Sequence, residues 1–494
     1  MVGVRRLEIL GGVAVAGLLA SLTLVLADLG FAPLAALRTL PAANVDVIPA
    51  TSALFSFTSL GLVFEGIFLT AALLVALASL SRPSDEKGAA VFFGLLLLAT
   101  LGMTLAAIAA DLIFLLLAVE VVGISTYLLV GYPRRDPRGL EAAMKFYIVG
   151  ALSTALSFFG ASLLFGAYGS TNLVVLSQAT GTVGYPALAL AGYGLLIAGL
   201  GFKLTLVPFH AWAVDVYDGA PTDVTAFLAG GSKKVGLVAF FLLFIGPVSL
   251  VVVRPLTCVG GVCPTPFDFA PTLQLALGVV AVVTMTVGNV LALLQREMKR
   301  MLAYSSISQA GYMLLGIAVG TAPAIAGATF QVLGHVFMKS GAFLVVAAVA
   351  GLGVGPLIDD WRGLGQRRPI LATAFALMLL SLAGIPLTVG FLSKFVLFSA
   401  AVEAQGYFVW LAVAGVLNSA LSVFYYARVL KVMYVDPSPE QVPAPPALPL
   451  GGIGYARAAA IAIAVVAIVA LGVDPQPVLG GLQSAANHFV LTGP

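Results

Sequence analysis

Long apolar runs recur along the whole chain, and they restrict its fold more than any other feature. Most of them are about 20 residues long, the length that crosses a bilayer as one α-helix. With 61% of its 494 residues hydrophobic and only 9% charged, the chain has more apolar surface than a soluble fold could bury. The sequence therefore predicts an all-α polytopic membrane protein with about 13 transmembrane helices, or about 14 if one is missed. The predicted spans lie at roughly 7–27, 54–80, 89–109, 112–131, 142–167, 185–208, 222–246, 272–294, 298–319, 322–351, 370–402, 407–433 and 453–472.

Lysine and arginine are distributed unevenly between the loops on the two sides. With the N-terminus in the cytoplasm, the outside loops carry only Arg38 and Arg254 of the 24 lysines and arginines. The inside loops then carry most of the others, beginning with Arg5 and Arg6. Because cytoplasmic loops are enriched in these residues, the pattern predicts a multi-pass protein of the cell (inner or plasma) membrane with a cytoplasmic N-terminus.

The two cysteines of the chain, Cys258 and Cys263, lie in a predicted outside loop that reads "CVGGVC". An oxidising compartment favours a disulfide between them, and two unpaired thiols are the alternative. Two thiols with no nearby histidine do not make a metal site.

Two predicted spans are interrupted, one at Pro208 and one around Gly384–Pro386–Gly390. Proline removes a backbone hydrogen bond from a helix, and such breaks occur in membranes only where protein or a wet cavity covers the freed groups. The breaks fall in the fourth span of two five-span blocks, 89–246 and 272–433. Two inverted repeats, each a half-channel with a broken helix, are therefore predicted. N-terminal helices (1–88) precede them, and a C-terminal helix and tail (453–494) follow.

Several ionisable side chains lie inside the predicted spans, where each costs at least ~2.5–3.5 kcal/mol on insertion scales. The main candidates for a functional site are Glu120, Lys203, Lys233, His335, Lys339 and Lys394, and additional ones are His210, Lys234 and Glu65. Each could instead be a structural link between helices, and Glu65 is the weakest case. A lysine beside a broken helix can reach trapped water, and a nearby carboxylate favours its charged form. The pattern thus indicates a proton relay that needs neither a nucleophile nor a metal.

These residues belong to stretches that resemble a known family. "FKLTLVPFHAWAVDVYDGAPTDVTAFLAGGSKKVG" resembles the signature shared by the antiporter-like membrane subunits of complex I and the Mrp-type antiporters. "LLLAVEVVGISTYLLVGY", "KRMLAYSSISQAGYMLLG" and "AGIPLTVGFLSKF" are also similar, and the resemblance covers roughly residues 50–435. Within the family, "YGSTNL" and Lys394 look most like subunit N of NADH-quinone oxidoreductase.

The resemblance implies a role for each matching residue. Glu120 would be the glutamate paired with the broken-helix lysine, Lys203, and should lie within ion-pair reach of it. Lys233 would be the central connecting lysine, and replacing Lys234 should matter less. Lys394 would be the exit lysine of the second half-channel.

Four residues depart from the family pattern. Ala213 and Asp223 stand where the family commonly has proline, which affects local geometry. His335 and Lys339 are more typical of M- and L-type chains, of antiporters and of archaeal N-type homologues.

The resemblance also implies a function. The chain would be a proton-translocating, antiporter-like subunit N of a complex I-like respiratory oxidoreductase that passes electrons from NADH, or another donor, to quinone. It would hold no cofactor and have no catalytic activity alone, because quinone, FMN and iron–sulfur clusters would bind only to partner subunits. Its partners would be other membrane and peripheral subunits and the lipid bilayer, and no basic stretch suggests nucleic acid. The alternatives are a subunit of an Mrp-type Na⁺/H⁺ antiporter or of a membrane-bound hydrogenase.

Overall fold

The computed structural model describes residues 2–31, 34, 37, 54–81, 86–132, 136–178, 185–253, 270–437 and 454–492, and almost all of them are helical. Within these residues the α-helices are α1 Val2–Asp28, α2 Ser59–Ser79, α3 Glu86–Ala107, α4 Leu112–Gly131, α5 Pro137–Tyr168, α6 Leu173–Gln178, α7 Pro186–Leu204, α8 Ala211–Gly219, α9 Thr222–Phe227, α10 Lys234–Val253, α11 Ala270–Leu293, α12 Met298–Val319, α13 Ala322–His335, α14 Gly341–Gly351, α15 Leu364–Arg367, α16 Pro369–Ala383, α17 Val389–Glu403, α18 Phe408–Tyr434, α19 Tyr455–Val473 and α20 Gln476–Thr492. Both cysteines, with Arg38 and Arg254, lie outside the described residues, so the disulfide stays a prediction.

The helices confirm the predicted all-α membrane fold. Twelve helical stretches in the described residues are long and apolar enough to cross a membrane, and each matches a predicted span. The remaining predicted span, at 370–402, is divided between α16 and α17, which are each too short to cross alone.

Both predicted helix breaks are present. The first separates α7 from α8 at residues 205–210, and the second separates α16 from α17 at residues 384–388. At the second break, Gly384 has a φ of 92°, a conformation that glycine adopts without the steric cost of a Cβ. At the first, the freed N–H of Val207 donates to Thr284 Oγ1 at 3.1 Å. A side chain of the second five-span block therefore covers the broken backbone of the first, as a break within a membrane requires.

Two spans contain a single π-helical turn in their middle, at Leu228–Ser232 and Val336–Ser340. The two turns pack against each other, and Ser340 Oγ donates to the carbonyl oxygen of Ala226 at 3.0 Å. A Cβ placed on Gly230 would lie 1.9 Å from Ser340 Oγ, so only glycine fits this contact. Because one π-turn belongs to each block, this contact brings the middles of the two blocks together.

The C-terminal region contains a second helix where the sequence analysis expected a tail. Helix α20 packs against α2 and α13, and Leu479, Leu482 and Phe489 are buried on one of its faces. The sequence did not mark α20 as a helix because only one of its faces is apolar, so its average hydropathy is below that of a span.

Helix α19 is tied to the first block by a buried ion pair. Arg457 Nη2 lies 3.1 Å from Asp223 Oδ2 and 3.3 Å from its Oδ1. The two side chains are only 11% and 7% exposed. Arg457 lies in the first turn of α19, and the structure buries it. The pair also gives a reason for Asp223 at a position where the resembled family commonly has proline.

Candidate functional site

Glu120 on α4 and Lys203 on α7 line the same small cavity, which α5 closes with Thr154 and Ser157. The cavity leaves about 20 Å³ for the centre of a water molecule, which is enough for one water. Thr154 donates a hydrogen bond of 2.6 Å to Glu120 Oε2 and fixes the carboxylate at the cavity wall.

The prediction of an ion pair between Glu120 and Lys203 was wrong, because no nitrogen–oxygen distance between the two side chains is within 4.0 Å. The Lys203 ammonium instead lies 5.6 Å from the ring centroid of Tyr127 and 6.0 Å from that of Phe146. Aromatic faces attract a cation at these distances. The carboxylate and the ammonium thus face a shared space in which one water can bridge them.

The chain around the first break is held by aromatic and charged contacts. Trp212 Nε1 donates to the carbonyl oxygen of Phe202 at 3.1 Å, which satisfies a carbonyl near the end of α7. His210 precedes α8 and is half-buried, and its Nδ1 has no hydrogen-bond partner. Asp215 on α8 lies 3.2 Å from Arg300 of α12 and 3.0 Å from Lys145 of α5, so α8 is fixed to both blocks.

The two π-turns bring Lys233, Lys234, His335 and Lys339 into one central cluster. Their exposed fractions are 2%, 0%, 0% and 0%, so neither of the adjacent lysines reaches the lipid. The Lys233 ammonium donates to the carbonyl oxygen of Ser306 at 2.8 Å. Lys339 donates to the carbonyl oxygen of Leu302 at 2.9 Å and also to Ser305 Oγ.

Two members of this central cluster have no hydrogen-bond partner. They are Lys234, through Nζ, and His335, through both ring nitrogens. Among the described residues, no carboxylate forms an ion pair with any member of the central cluster. Charges held there together would repel one another without compensation, so the cluster can hold few protons at once.

Lys394 on α17 lies beside the second break and donates hydrogen bonds to the carbonyl oxygens that the break leaves free. Its ammonium donates to the carbonyl oxygens of Leu382 and Ala383 at 2.8 and 3.3 Å, and to Ser419 Oγ at 3.0 Å. The nitrogen also lies 4.9 Å from the ring centroid of Tyr312. Lys394 therefore caps the last carbonyls of α16, whereas Lys203 lies on the helix before its own break.

A chain of buried amides and hydroxyls, which the sequence analysis missed, extends from Lys394 toward the central cluster as far as Gln331. Gln331 Nε2 donates to Gln309 Oε1 at 2.6 Å, and Gln309 Nε2 donates to the carbonyl oxygen of Leu382 at 3.3 Å. Ser393, the residue before Lys394, donates to Gln331 Oε1. Gln331 is one helical turn from His335 on α13, and among the described residues no hydrogen bond joins the two side chains. Each of two predicted spans contains a glutamine near its middle, and this could have indicated the polar chain. It was missed because only charged residues were considered as candidates.

Glu65 is the candidate that the structure leaves apart from the others. It is half-buried on α2 and interacts electrostatically with Asp28 at the end of α1. It makes no hydrogen bond to any other candidate residue.

Residues 109–422 match a protein family described as "NADH:quinone oxidoreductase/Mrp antiporter, TM". Among curated proteins, the F(420)H(2) dehydrogenase subunit N of Methanosarcina mazei is 39% identical over 492 residues, which cover 98% of this chain and 93% of that protein. The NADH-quinone oxidoreductase subunit N of Trichlorobacter lovleyi is 42% identical over 398 residues, covering 78% of this chain and 77% of that protein.

Solved structures agree with these relatives. A chain of respiratory complex I from Thermus thermophilus aligns with a TM-score of 0.74 and 31% identity over 96% of this chain and 94% of its own length. A chain of the Mrp complex from Dietzia aligns with a TM-score of 0.81 over 99% of this chain and 95% of its own, but at 21% identity it shows a shared fold alone. The chain belongs to the family of antiporter-like membrane subunits that NADH:quinone oxidoreductases and Mrp antiporters share.

Proposed function

We propose that this chain is the N-type subunit of a complex I-like respiratory oxidoreductase, and that it translocates protons without carrying redox chemistry itself. The observation that carries the proposal is the row of buried titratable groups from Lys203, through the central cluster, to Lys394. Five lysines in this row are at most 6% exposed, and burying so many amines in a membrane protein has no purely structural advantage. The names of the relatives, which are N subunits of NADH-quinone and F(420)H(2) dehydrogenases, support the type of complex.

Proton movement through this row needs only side chains and water. The Glu120 carboxylate stabilises a charged Lys203 across their shared cavity, and a change in that attraction alters how firmly Lys203 holds its proton. A proton that reaches the central cluster repels any proton already there, which favours its transfer toward Gln331 and Lys394. Each step passes one proton between water, an amine and an imidazole ring, so no electron changes hands within this chain.

Energy for the movement would come from partner subunits. We propose that FMN, iron–sulfur clusters and quinone bind to those partners, and that this chain contacts other membrane and peripheral subunits of the assembly. The proposed setting is the cell membrane, with the N-terminus in the cytoplasm.

An Mrp-type cation/proton antiporter subunit is the second candidate, because the description of the matched family names Mrp antiporters beside NADH:quinone oxidoreductases. Purification of the tagged chain from its own membranes separates the two. Co-purification of hydrophilic redox subunits supports the oxidoreductase, and small membrane subunits alone support the antiporter.

The relay itself is tested with the intact complex reconstituted in vesicles. Lys203→Met and Lys394→Met should each lower the number of protons translocated per electron at least fivefold, while the assembled complex still oxidises its donor. Arg362→Met is a matched control, because it removes a cation whose side chain is 49% exposed. Parental proton-to-electron ratios in both lysine variants would refute the proposal.

A further inference from the structure

An open apolar groove lies between α16 and α19, which pack side by side. Its volume is about 510 Å³. Its floor is buried, since the exposed fractions of Leu371, Ala374 and Ile461 are 2%, 8% and 4%. Ile370 and Val466 on its rims are 51% and 65% exposed. The groove therefore opens to the outer surface of the helical bundle, which faces lipid in a membrane.

The two helices that form this groove run in the same direction. A Cβ placed on Gly341 would lie 2.6 Å from Met378 Cε of α16 and 3.1 Å from Ala464 Cβ of α19. Further along both helices, a Cβ placed on Gly472 of α19 would lie 2.5 Å from the Cα of Thr388, which follows α16. Both helices thus begin on the same side of the membrane.

The groove starts at that side and extends into the membrane. Its lining lies within residues 369–377 of α16 and 458–466 of α19, so it follows each helix for about 12 Å from its first turns. Among its lining residues Thr373 alone is polar, and the hydroxyl of Thr373 lies 3.3 Å from that of Tyr434. Water in such a site would lack hydrogen-bond partners, whereas a hydrocarbon chain would meet apolar surface on both walls.

An arginine without a partner stands at the start of the groove. Arg362 in the same loop lies 3.5 Å from Asp359, and Arg367 donates to the carbonyl oxygen of Arg362 at 2.7 Å. Within the part of the chain that the structure describes, half-buried Arg368 forms no ion pair, and its guanidinium donates no hydrogen bond. Arg368 directly precedes Pro369, the first lining residue. A guanidinium in this place matches the oxygens of a phosphate group.

A second apolar groove provides a comparison. It lies between α11 and α18, has a volume of about 210 Å³ and is lined by residues that include Val279 and Leu411. No lysine or arginine lines it or stands next to one of its lining residues in the chain. An apolar groove in this protein is therefore not always accompanied by a cation, and the combination beside α16 is specific.

We propose that the groove between α16 and α19 binds one acyl chain of an anionic phospholipid, and that Arg368 binds the phosphate of its headgroup. The loop before α16 is a predicted inside loop, and the cytoplasmic leaflet is the one whose anionic lipids attract basic residues. Basic pockets between transmembrane helices on that side bind acidic headgroups. This lipid site goes beyond the proposed function, because nothing in it depends on proton movement.

The test uses the intact complex in vesicles that contain a small fraction of photoreactive phosphatidylglycerol, with the reactive group on one acyl chain. After irradiation, mass spectrometry of peptides should find the label on the groove residues of α16 and α19. Phosphatidylcholine with the same reactive chain has no net charge, so it should label these residues at most one fifth as strongly. The second groove should be labelled equally by the two lipids.

Three variants separate the headgroup from the chain. Arg368→Gln should lower the labelling of the groove by phosphatidylglycerol at least fivefold. Arg362→Gln is the matched control, because it removes a paired arginine of the same loop whose side chain is 49% exposed, and it should keep the parental labelling. Ala462→Trp fills the groove from an exposed lining position and leaves Arg368 in place, so it should also lower the labelling severalfold.

Several results would overturn the inference. Equal labelling of the groove by the two lipids, or parental labelling in Arg368→Gln, would mean that the groove holds lipid without selecting its headgroup. Absence of label from the groove would overturn it too, and cross-links from the groove to another subunit would then identify a partner chain as the occupant. If Arg368→Gln does not assemble, Ala462→Trp decides: loss of labelling supports the inference, and parental labelling overturns it. The proposed function is tested separately, by the proton-to-electron ratios of Lys203→Met and Lys394→Met.

Discussion

The buried ion pair between Arg457 and Asp223 predicts a large and specific loss of stability. Arg457→Met would leave the Asp223 carboxylate in a site where its side chain is 7% exposed. Removing one partner of a buried pair typically costs about 3–5 kcal/mol. Because both side chains keep slight contact with solvent, we expect a value near 3 kcal/mol, the lower end of that range. Asp223→Asn should cost less, since an amide can still accept a hydrogen bond from Arg457.

A double-mutant cycle in mixed detergent micelles measures this loss. The free energy of unfolding of the purified chain is obtained from SDS titration, followed by the fluorescence of its three tryptophans. The double variant should be destabilised by clearly less than the sum of the single variants, with a coupling of about 1–3 kcal/mol. Additive effects, or a loss below about 1 kcal/mol in Arg457→Met, would mean that the pair behaves like an exposed one and would refute the argument.

Three further predictions concern the candidate site and its surroundings. Gly150→Ala should destabilise the chain by about 1–3 kcal/mol in the same titration, because its Cβ would lie 2.1 Å from the Tyr127 hydroxyl; an unchanged midpoint would contradict this close approach. Gln331→Leu should lower proton translocation severalfold in vesicles without preventing assembly, since it removes the amide between two other polar groups, and parental translocation would exclude this path. Lys145→Ala should cost less than about 1 kcal/mol, and less again in 1 M salt, because Lys145 and its partner Asp215 are 47% and 41% exposed.

The sequence was sufficient to predict features that depend on local chemistry. Pro208 and Gly384 marked both helix breaks, because proline and glycine disturb a helix in any surroundings. The length and polarity of the runs predicted the spans for a similar reason. Charges inside spans, such as Lys203 and Lys394, were recognisable because their cost in a membrane does not depend on which neighbours they have.

The contacts between helices could not be predicted in the same way. The sequence placed Glu120 near Lys203, but it could not show that Tyr127 and Phe146 occupy the position next to the ammonium. Nor could it show that a π-turn would bury both Lys233 and Lys234, since an ideal helix directs adjacent side chains about 100° apart. Such outcomes depend on how whole helices pack.

The position of Lys394 has a mechanical consequence. Its three N–H groups, when it is charged, match three oxygen acceptors, and two of these are the last carbonyls of α16. A neutral amine has only two N–H groups, so a departing proton removes one of these three hydrogen bonds, while the carbonyl oxygens of Leu382 and Ala383 keep second donors in Gln309 and Ser419. Each turnover would then weaken and restore the contact between Lys394 of α17 and the last carbonyls of α16. In the proposed relay Lys394 would thus both carry the proton and hold the carbonyl end of α16, so the number of its hydrogens would connect transport with the contact across the helix break.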